Sequence, residues 1–231
     1  MNDFVFSPAE QPRVSVVGGG FFPVRRIICI GKNYAAHIAE MGGDAKKEQP
    51  VFFCKPADAV TEQAKVPYPP GTNDLHFEGE LVVAIGGVAK SLDTNAAAND
   101  VIFGYAAGCD LTRRDLQSAA KSTRGPWDIA KAFDHSAPIA PIVRRSDLPQ
   151  GRLEAASLKT TINGECRQDA SLGDMIWSVP EIIMTLSTLL ELHPGDLIFT
   201  GTPEGVGAIV AGDDVVVQIG ELPLLAFKIG S

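Results

Sequence analysis

The sequence predicts an α+β domain that is mostly β, with three or four short helices. Short apolar runs bounded by Gly and Pro recur along the 231 residues, as is typical of strands. Asn163-Gly164 is the strongest short hairpin signal, and Ser178 to Glu181 form a capping box that opens one amphipathic helix. Because no internal repeat, linker or low-complexity tract is visible, we expect one domain over 1–231, with 1–24 as a short N-terminal extension and 25–231 as the core.

The composition is that of an ordinary globular protein, with 45% hydrophobic and 21% charged residues. A net charge of −8 argues against a nucleic-acid partner, which would require a basic face. No signal peptide and no apolar stretch of ~20 residues is apparent, so we expect no membrane partner and a cytoplasmic location. Because the four cysteines lie far apart, we expect reduced, buried thiols and no cysteine-based zinc site. They are Cys29, Cys54, Cys109 and Cys166.

Two buried strands are predicted early in the core, at Ile27–Ile30 and Val51–Cys54. The segment between them predicts a short helix, because Asn33 is a plausible N-cap and Gly42 a plausible residue just past the C-terminus. A polar stretch at 44–49 then suits a mobile surface loop.

His37 and Glu40 lie three residues apart in this helix and therefore share one of its faces. Two interpretations are open. The two residues could form an acid/base pair carried on a lid, or a solvated surface pair. The pattern alone favours the surface pair.

The chain is organised around His76–Ile85, which is predicted to be one strand. Alternation places Glu78 and Glu80 on the same face, with an apolar face opposite. Gly79 between them has no side chain and lets another backbone approach. Two adjacent carboxylates repel unless they are solvated or share a cation, and oxygen ligands favour Mg²⁺, Mn²⁺ or Ca²⁺. The alternative is an edge strand with an exposed acidic face.

A tightly packed strand over Val101–Cys109 is predicted to deliver Asp110 to the start of the next helix. Thr112 to Asp115 resemble a capping box, which places Asp110 at the junction between the strand and the helix. There its carboxylate could cap the helix or bind a ligand. Arg114 and Gln117 share a helical face. Arg114 could clamp a substrate carboxylate or form a surface salt bridge.

Two later stretches add polar groups. Lys131 lies in a loop between the apolar anchors Trp127 and Phe133, where it could be directed at an anion or could extend to solvent. The glycine-rich segment 200–207 is not a phosphate-binding P-loop. Its backbone N–H groups and the hydroxyls of its threonines could cradle a carboxylate.

Taken in order, these residues resemble the fumarylacetoacetate hydrolase superfamily, in its single-domain acylpyruvase form. The resemblance covers about 24–229, and its most specific parts are Gly31 to Tyr34, His76 to Leu81 and Thr200 to Gly207. It implies a mixed β-sandwich roll of the fumarylacetoacetate hydrolase C-terminal type with a few short helices, and a homodimer.

The resemblance also implies roles for particular residues. Three match the carboxylate ligands of one Mg²⁺ or Mn²⁺ per chain: Glu78, Glu80 and Asp110. Three match catalytic residues, namely the acid/base pair His37 and Glu40 on a lid, and Lys131, which stabilises developing negative charge. Three match substrate-binding residues: Arg114, Gln117 and Thr202.

The activity implied is hydrolysis of a C–C bond in a 2,4-dioxo acid, giving pyruvate and a carboxylic acid. Fumarylpyruvate is the preferred substrate, since the chain lacks the extra N-terminal domain of true fumarylacetoacetases. The alternative is decarboxylation or tautomerisation of oxaloacetate or a related oxo-diacid at the same site. A third possibility is a protein that only binds a metal or an oxo acid. The presence of both His37 and Glu40 argues against it.

Overall fold

The computed structural model describes residues 4–40, 50–149, 153 and 155–231, with all their side chains except those of Ile38 and Glu40. The strands are β1 Arg13–Ser15, β2 Phe21–Pro23, β3 Arg26–Gly31, β4 Val51–Lys55, β5 Val60–Thr61, β6 Lys65–Val66, β7 Leu75–Phe77, β8 Gly79–Ile85, β9 Ile102–Cys109, β10 Thr112–Arg113, β11 Ala137–Pro138, β12 Val143–Arg144, β13 Ser157–Ile162, β14 Glu165–Ser171, β15 Asp196–Phe199, β16 Gly207–Ile209, β17 Asp214–Ile219 and β18 Leu225–Ile229. The helices are α1 Ala35–Glu40, α2 Asn95–Asp100, α3 Arg114–Thr123, α4 Asp128–Lys131 and α5 Val179–Leu189. The predicted mostly β, α+β class with short helices is confirmed. Five helices are described where three or four were expected, because the predicted loop around Lys131 contains the short helix α4.

The central layer is a six-stranded sheet in the order β12-β9-β8-β15-β3-β4. The sheet is mixed, because β15 and β3 are parallel whereas all its other neighbouring strands pair antiparallel. Every residue of β8 is buried, so this strand has apolar residues on both faces.

An apolar cluster packs against each face of this sheet. Leu81 and Val83 of β8 belong to the first cluster, together with α5 and the second large sheet, which has the order β14-β13-β17-β18-β6. Val82 belongs to the second cluster, which includes Val14 and Phe22 of the β1–β2 hairpin. Burial on both sides explains why β8 cannot be the exposed acidic edge strand that the alternative interpretation required.

The predicted strand His76–Ile85 is in fact two strands that belong to different sheets. β7 pairs with β10 and β16 in a three-stranded sheet, whereas β8 pairs with β9 and β15 in the central one. The break falls at Glu78. A second break lies beside it, since β9 ends at Cys109 and β10 begins at Thr112. The chain therefore crosses between the small sheet and the central sheet at Glu78 and again at 110–111, and these two crossings are adjacent.

Other local predictions meet mixed outcomes. Asn163 and Gly164 have φ of 52° and 81° and connect β13 to β14, as the hairpin signal predicts. The capping box of Ser178 and Glu181 is present at the start of α5. The predicted capping box at 112–115 is wrong, because Thr112 lies in β10 and α3 begins at Arg114 without a side-chain cap.

Competing contacts explain the failed caps. Asp115 accepts a hydrogen bond from Thr72 Oγ1 at 2.6 Å and from the Asn73 N–H at 3.1 Å, so it ties α3 to the loop before β7. Asn33, predicted to cap α1, instead bonds the backbone of Trp177 and Thr200. It therefore joins two loops.

The thiols and the membrane prediction can also be compared with the structure. Cys29 and Cys109 are buried as predicted, whereas Cys54, on the edge strand β4, and Cys166 are exposed. Across the described residues, no helix combines the length and apolarity needed to cross a bilayer.

Candidate active site

Three acidic side chains converge where β8 and β9 meet the short sheet. Glu78, Glu80 and Asp110 are buried, and each offers a carboxylate oxygen within 4.8 Å of the others. The strand register explains why two of them meet. Gly79 pairs with Cys109 in antiparallel strands, so Glu78, just before Gly79, lies beside Asp110, just after Cys109. The Asp110 N–H also donates to the Glu78 carbonyl at 2.8 Å.

Lys131, at the end of α4, lies in the middle of this cluster. Its Nζ donates to Glu78 Oε2 at 2.8 Å, to Asp110 Oδ2 at 2.7 Å and to Thr112 Oγ1 at 2.6 Å. An ammonium group has three N–H donors, so all of them are used. The sequence prediction that Lys131 is directed at an anion agrees with this geometry. The anions it meets are the protein's own carboxylates.

Lys55 is a second buried ammonium that sequence reasoning missed. Its Nζ lies 2.8 Å from Asp110 Oδ1 and donates to the carbonyls of Leu111, at 3.2 Å, and Lys131. The only sequence signal was a lysine closing the apolar strand β4. A lysine in that position ordinarily extends to solvent.

Arg114 and Gln117 occupy the first turn of α3 and are both buried. One terminal nitrogen of Arg114 contacts Glu78 Oε1 at 2.5 Å, and the other donates to Gln117 Oε1 at 2.6 Å. Arg114 therefore does not form the surface salt bridge that was one of the two interpretations of the sequence. It pairs with one of the three clustered acids.

The surroundings shift the pKa values of the two glutamates in opposite directions. Burial, reinforced by the negative charges of Asp110 and Glu78, raises the pKa of Glu80 well above its usual range. Burial acts in the same direction on Glu78, but Lys131 and Arg114 outweigh it and hold the pKa of Glu78 well below its usual range. Glu80 accepts a hydrogen bond from the Gly201 N–H at 2.9 Å.

Gly79 lies against side chains, and not against another backbone as the sequence suggested. A Cβ at this position would overlap Thr160 Oγ1 and lie 3.0 Å from Gln168 Oε1. Gln168, also missed from the sequence, accepts the Gly79 N–H at 3.0 Å and donates to Thr202 Oγ1 at 2.8 Å. The Thr202 hydroxyl donates to the Gly79 carbonyl at 2.9 Å. This hydroxyl, predicted to hold substrate, fixes the glutamate-bearing strand to the glycine-rich loop.

α1 carries His37, and a positive charge on this imidazole would act on the pKa of Glu78 in the same direction as Lys131 and Arg114. Glu40 is the last residue of α1, but its side chain and residues 41–49, including Gly42 and the polar loop, lie outside the described residues. The acid/base pairing of His37 with Glu40 stays a prediction.

The donor set fits a hard divalent cation. All three side chains offer oxygen, which Mg²⁺ and Mn²⁺ prefer. Asp110 Oδ1 is buried and pairs with the Lys55 ammonium at 2.8 Å. A carboxylate oxygen has two lone pairs, so this oxygen keeps one acceptor position for a further ligand. Glu78, Glu80 and Asp110 are thus the residues that could hold the ion.

Comparison with known proteins agrees with this geometry. The model of the family described as "Fumarylacetoacetate (FAA) hydrolase C-terminal" matches residues 26–230. A fumarylpyruvate hydrolase of a Ralstonia species is 41% identical over 190 residues, which are 81% of this chain and 96% of that protein. An oxaloacetate tautomerase of Escherichia coli K12 is 37% identical over 197 residues, 85% of this chain and 89% of that protein.

A solved structure is similar over nearly the whole chain. It is the fumarylpyruvate hydrolase from Pseudomonas aeruginosa in complex with Mn²⁺ and pyruvate, with a TM-score of 0.94, 42% identity and 99% of both chains covered. The family match, the fold and the buried acidic trio lead to the same assignment: this chain is a member of the fumarylacetoacetate hydrolase family, whose relatives include hydrolases and tautomerases.

Proposed function

We propose that this enzyme hydrolyses the C–C bond of a 2,4-dioxo acid, with fumarylpyruvate as the preferred substrate and pyruvate plus a carboxylic acid as products. The observation that carries the proposal is the buried trio of carboxylates, paired with Lys131 and Arg114 and lying close to His37 on α1. The relatives named fumarylpyruvate hydrolase, at 41% and 42% identity, support the choice of substrate.

The proposed cofactor is one Mg²⁺ or Mn²⁺ per chain, held by Glu78, Glu80 and Asp110. A divalent cation there supplies Lewis acidity toward the oxygens of an oxo acid. The Mn²⁺ and pyruvate of the Pseudomonas aeruginosa structure support both the ion and a small oxo-acid ligand. Lys131 and Arg114 keep Glu78 ionised and oriented for this task.

The proposed acid/base pair is His37 with Glu40. His37 takes a proton from the water that attacks the 4-oxo carbon, and Glu40 orients the imidazole. The C3–C4 bond then breaks, and return of the proton to C3 gives pyruvate. Lys131 stabilises the oxyanion that water attack creates, for which one of its three N–H donors must turn from its present acceptor toward the substrate. The proposed substrate-binding residues are Arg114, Gln117 and Thr202.

A second candidate is tautomerisation or decarboxylation of oxaloacetate or a related oxo-diacid. The Escherichia coli relative at 37% identity carries the name oxaloacetate tautomerase, which favours this candidate independently. Such a reaction uses the same carboxylate trio and proton transfer by His37, but it needs no attacking water.

Product analysis tests the proposal. Purified enzyme with Mg²⁺ or Mn²⁺ is given fumarylpyruvate, acetylpyruvate and oxaloacetate, while pyruvate, the second acid, CO₂ and the keto–enol ratio are followed. We expect pyruvate and fumarate in equal amounts from fumarylpyruvate. Turnover of oxaloacetate alone, by CO₂ release or enol conversion, would replace hydrolysis with the second candidate.

A pair of histidine variants tests the assigned base. We expect His37→Gln to lower kcat by about a hundredfold or more. His193→Gln is the matched control, because His193 lies on the surface beside Glu191 and is expected to keep the wild-type rate. Equal rates in both variants would remove the role of His37.

The organisation of the chain is part of the same proposal. We propose that 1–231 is one catalytic domain, with 25–231 as its core, and that it works as a homodimer. Light scattering coupled to gel filtration measures the mass directly. A mass near 24.5 kDa would show a monomer and contradict the dimer.

A further inference from the structure

One face of α3 leads outward from the acidic trio. Arg114, Gln117 and Lys121 follow one another at intervals of three and four residues, which places them on the same side of a helix. Arg114 and Gln117 are buried, and Arg114 contacts Glu78. Lys121 lies about 10 Å further along the axis, at a rise of 1.5 Å per residue, and is exposed.

Arg114 is less suited to receive the distal substrate carboxylate, because its positive charge is already paired with Glu78. One of its terminal nitrogens contacts Glu78 and the other donates to Gln117. Lys121 is the next cation on this face. In the described part of the chain, no carboxylate forms an ion pair with it.

Lys121 is nevertheless held in position. Its Nζ lies 5.1 Å from the centroid of the Trp127 ring, within the range of a cation–π interaction. The aromatic ring restricts the ammonium without neutralising its charge. The charge therefore stays available to an anion at the outer end of the site.

The surroundings of Lys121 are rich in positive charge. Although the side chain is exposed, the protein around Lys121 removes part of its hydration, and this desolvation lowers its pKa. The positive charges of Arg114, Lys131 and Lys32 act in the same direction, while Glu78 opposes them. Several cations thus meet on this side of the site in a chain of net charge −8. A carboxylate bound there would face Lys121, whose charge, unlike those of Arg114 and Lys131, is not paired with a carboxylate in the described part of the chain.

We infer that Lys121 binds the distal carboxylate of an oxo-diacid whose 2-oxo acid end lies at the acidic trio. This inference rests on the proposed function, since the trio must hold the 2-oxo acid end. Lys121 is thereby a specificity determinant that selects diacids over monoacids of the same length. It takes no part in bond breaking.

Two ligands isolate the distal carboxylate. 2-Oxopimelate and 2-oxoheptanoate have the same chain length and differ only in that group, and neither has the 4-oxo group at which hydrolysis occurs. Calorimetric titration of the Mn²⁺-loaded protein therefore measures binding without turnover. The variants are Lys121→Met, the conservative Lys121→Arg, and Lys90→Met as a control for an exposed lysine elsewhere.

We expect the wild-type protein to bind the diacid more tightly, and Lys121→Met to reduce that preference about tenfold. Lys121→Arg should keep most of the preference, and Lys90→Met all of it. An unchanged preference in Lys121→Met, or a wild-type protein without one, overturns the inference. Hydrolysis that fails in the product assay while the diacid preference depends on Lys121 would count against the proposed function alone.

Discussion

Lys55 Nζ lies 2.8 Å from Asp110 Oδ1, and both side chains are fully buried. The same ammonium donates to the backbone carbonyls of Leu111 and Lys131. One side chain at the end of β4 thus fixes a proposed metal ligand and the short helix α4 that carries Lys131. We expect Lys55 to position the site without touching the substrate.

Replacing this lysine should cost stability and ion binding together. Lys55→Met leaves the carboxylate of Asp110 buried with one ammonium fewer. Breaking a buried ion pair from one side costs about 3–5 kcal/mol, although Lys131 still contacts Asp110 and should limit the loss. Urea denaturation measures the free energy of unfolding, and a Mn²⁺ titration measures the affinity for the ion.

Lys90→Met is the matched control. Lys90 is exposed and lies 3.4 Å from Glu191, a surface pair that contributes about 0–1 kcal/mol. If Lys55→Met is no less stable than Lys90→Met and binds Mn²⁺ equally well, Lys55 has no positioning role.

Gly79→Ala should destabilise the strand that carries Glu80. The added methyl group would overlap Thr160 Oγ1 and lie 3.4 Å from Val217, inside the first apolar cluster. Overpacking of this kind costs about 1–3 kcal/mol, which thermal or urea unfolding can resolve.

Gly125→Ala provides the comparison for that measurement. Its nearest neighbours would be Thr123 Oγ1 at 3.3 Å and the Ala120 carbonyl at 3.7 Å, so the effect should stay below about 1 kcal/mol. Equal stabilities for the two alanine variants would show that β8 can move to accommodate the methyl group.

Tyr34→Phe should leave the protein as stable as the wild type, or more stable by up to about 1 kcal/mol. The Tyr34 hydroxyl is buried and has no hydrogen-bond partner among the described residues, so removing it relieves a desolvation cost. Burial also raises the pKa of Tyr34, which keeps the hydroxyl protonated. A loss above about 1 kcal/mol in urea denaturation would reveal a partner such as an ordered water.

Asp115 should contribute stability that depends on pH. Burial opposes its charge, but hydrogen bonds from Thr72 and from the backbone of Asn73 and Leu116 lower its pKa below the ordinary 3.8. A carboxyl whose pKa is lower in the folded state stabilises the fold above its unfolded pKa. That contribution is lost as the pH falls through the folded value.

The difference in unfolding free energy between wild type and Asp115→Asn should therefore be largest near neutral pH and shrink below about pH 4. Urea titrations across this range measure it. Thr72→Val removes the strongest of these hydrogen bonds and should reduce the pH dependence in the same direction. A constant difference from neutral pH down to about pH 3 would contradict the assignment.

Much of the site could be predicted from the sequence because its acids lie at the ends of readable strands. Alternation predicts that Glu78 and Glu80 lie close together, and the end of an apolar run predicts that Asp110 lies where the next helix begins. Only the resemblance to a known family places Asp110 beside the two glutamates. The break at Glu78 was not predictable, because both β7 and β8 continue the same apolar alternation. Only pairing with different partners separates the two strands.

The groups that neutralise and support the acids were harder to find. Lys55 and Gln168 reach the site from β4 and β14, and neither carries a local pattern that distinguishes it from a surface residue. Thr112 and Asp115 have capping-box spacing, but contacts with Lys131 and Thr72 take precedence over the helix start. Long-range polar pairing depends on the complete fold, which short-range spacing does not encode.

The paired breaks at Glu78 and Asp110 have a mechanical consequence. Both breaks lie on the seam between the central sheet and the small sheet of β7, β10 and β16. Glu80 lies in the central sheet, whereas Glu78 and Asp110 lie at the two breaks. A cation held by all three side chains would tie both breaks to the central sheet, so we expect the small sheet to become less rigid when the ion is removed.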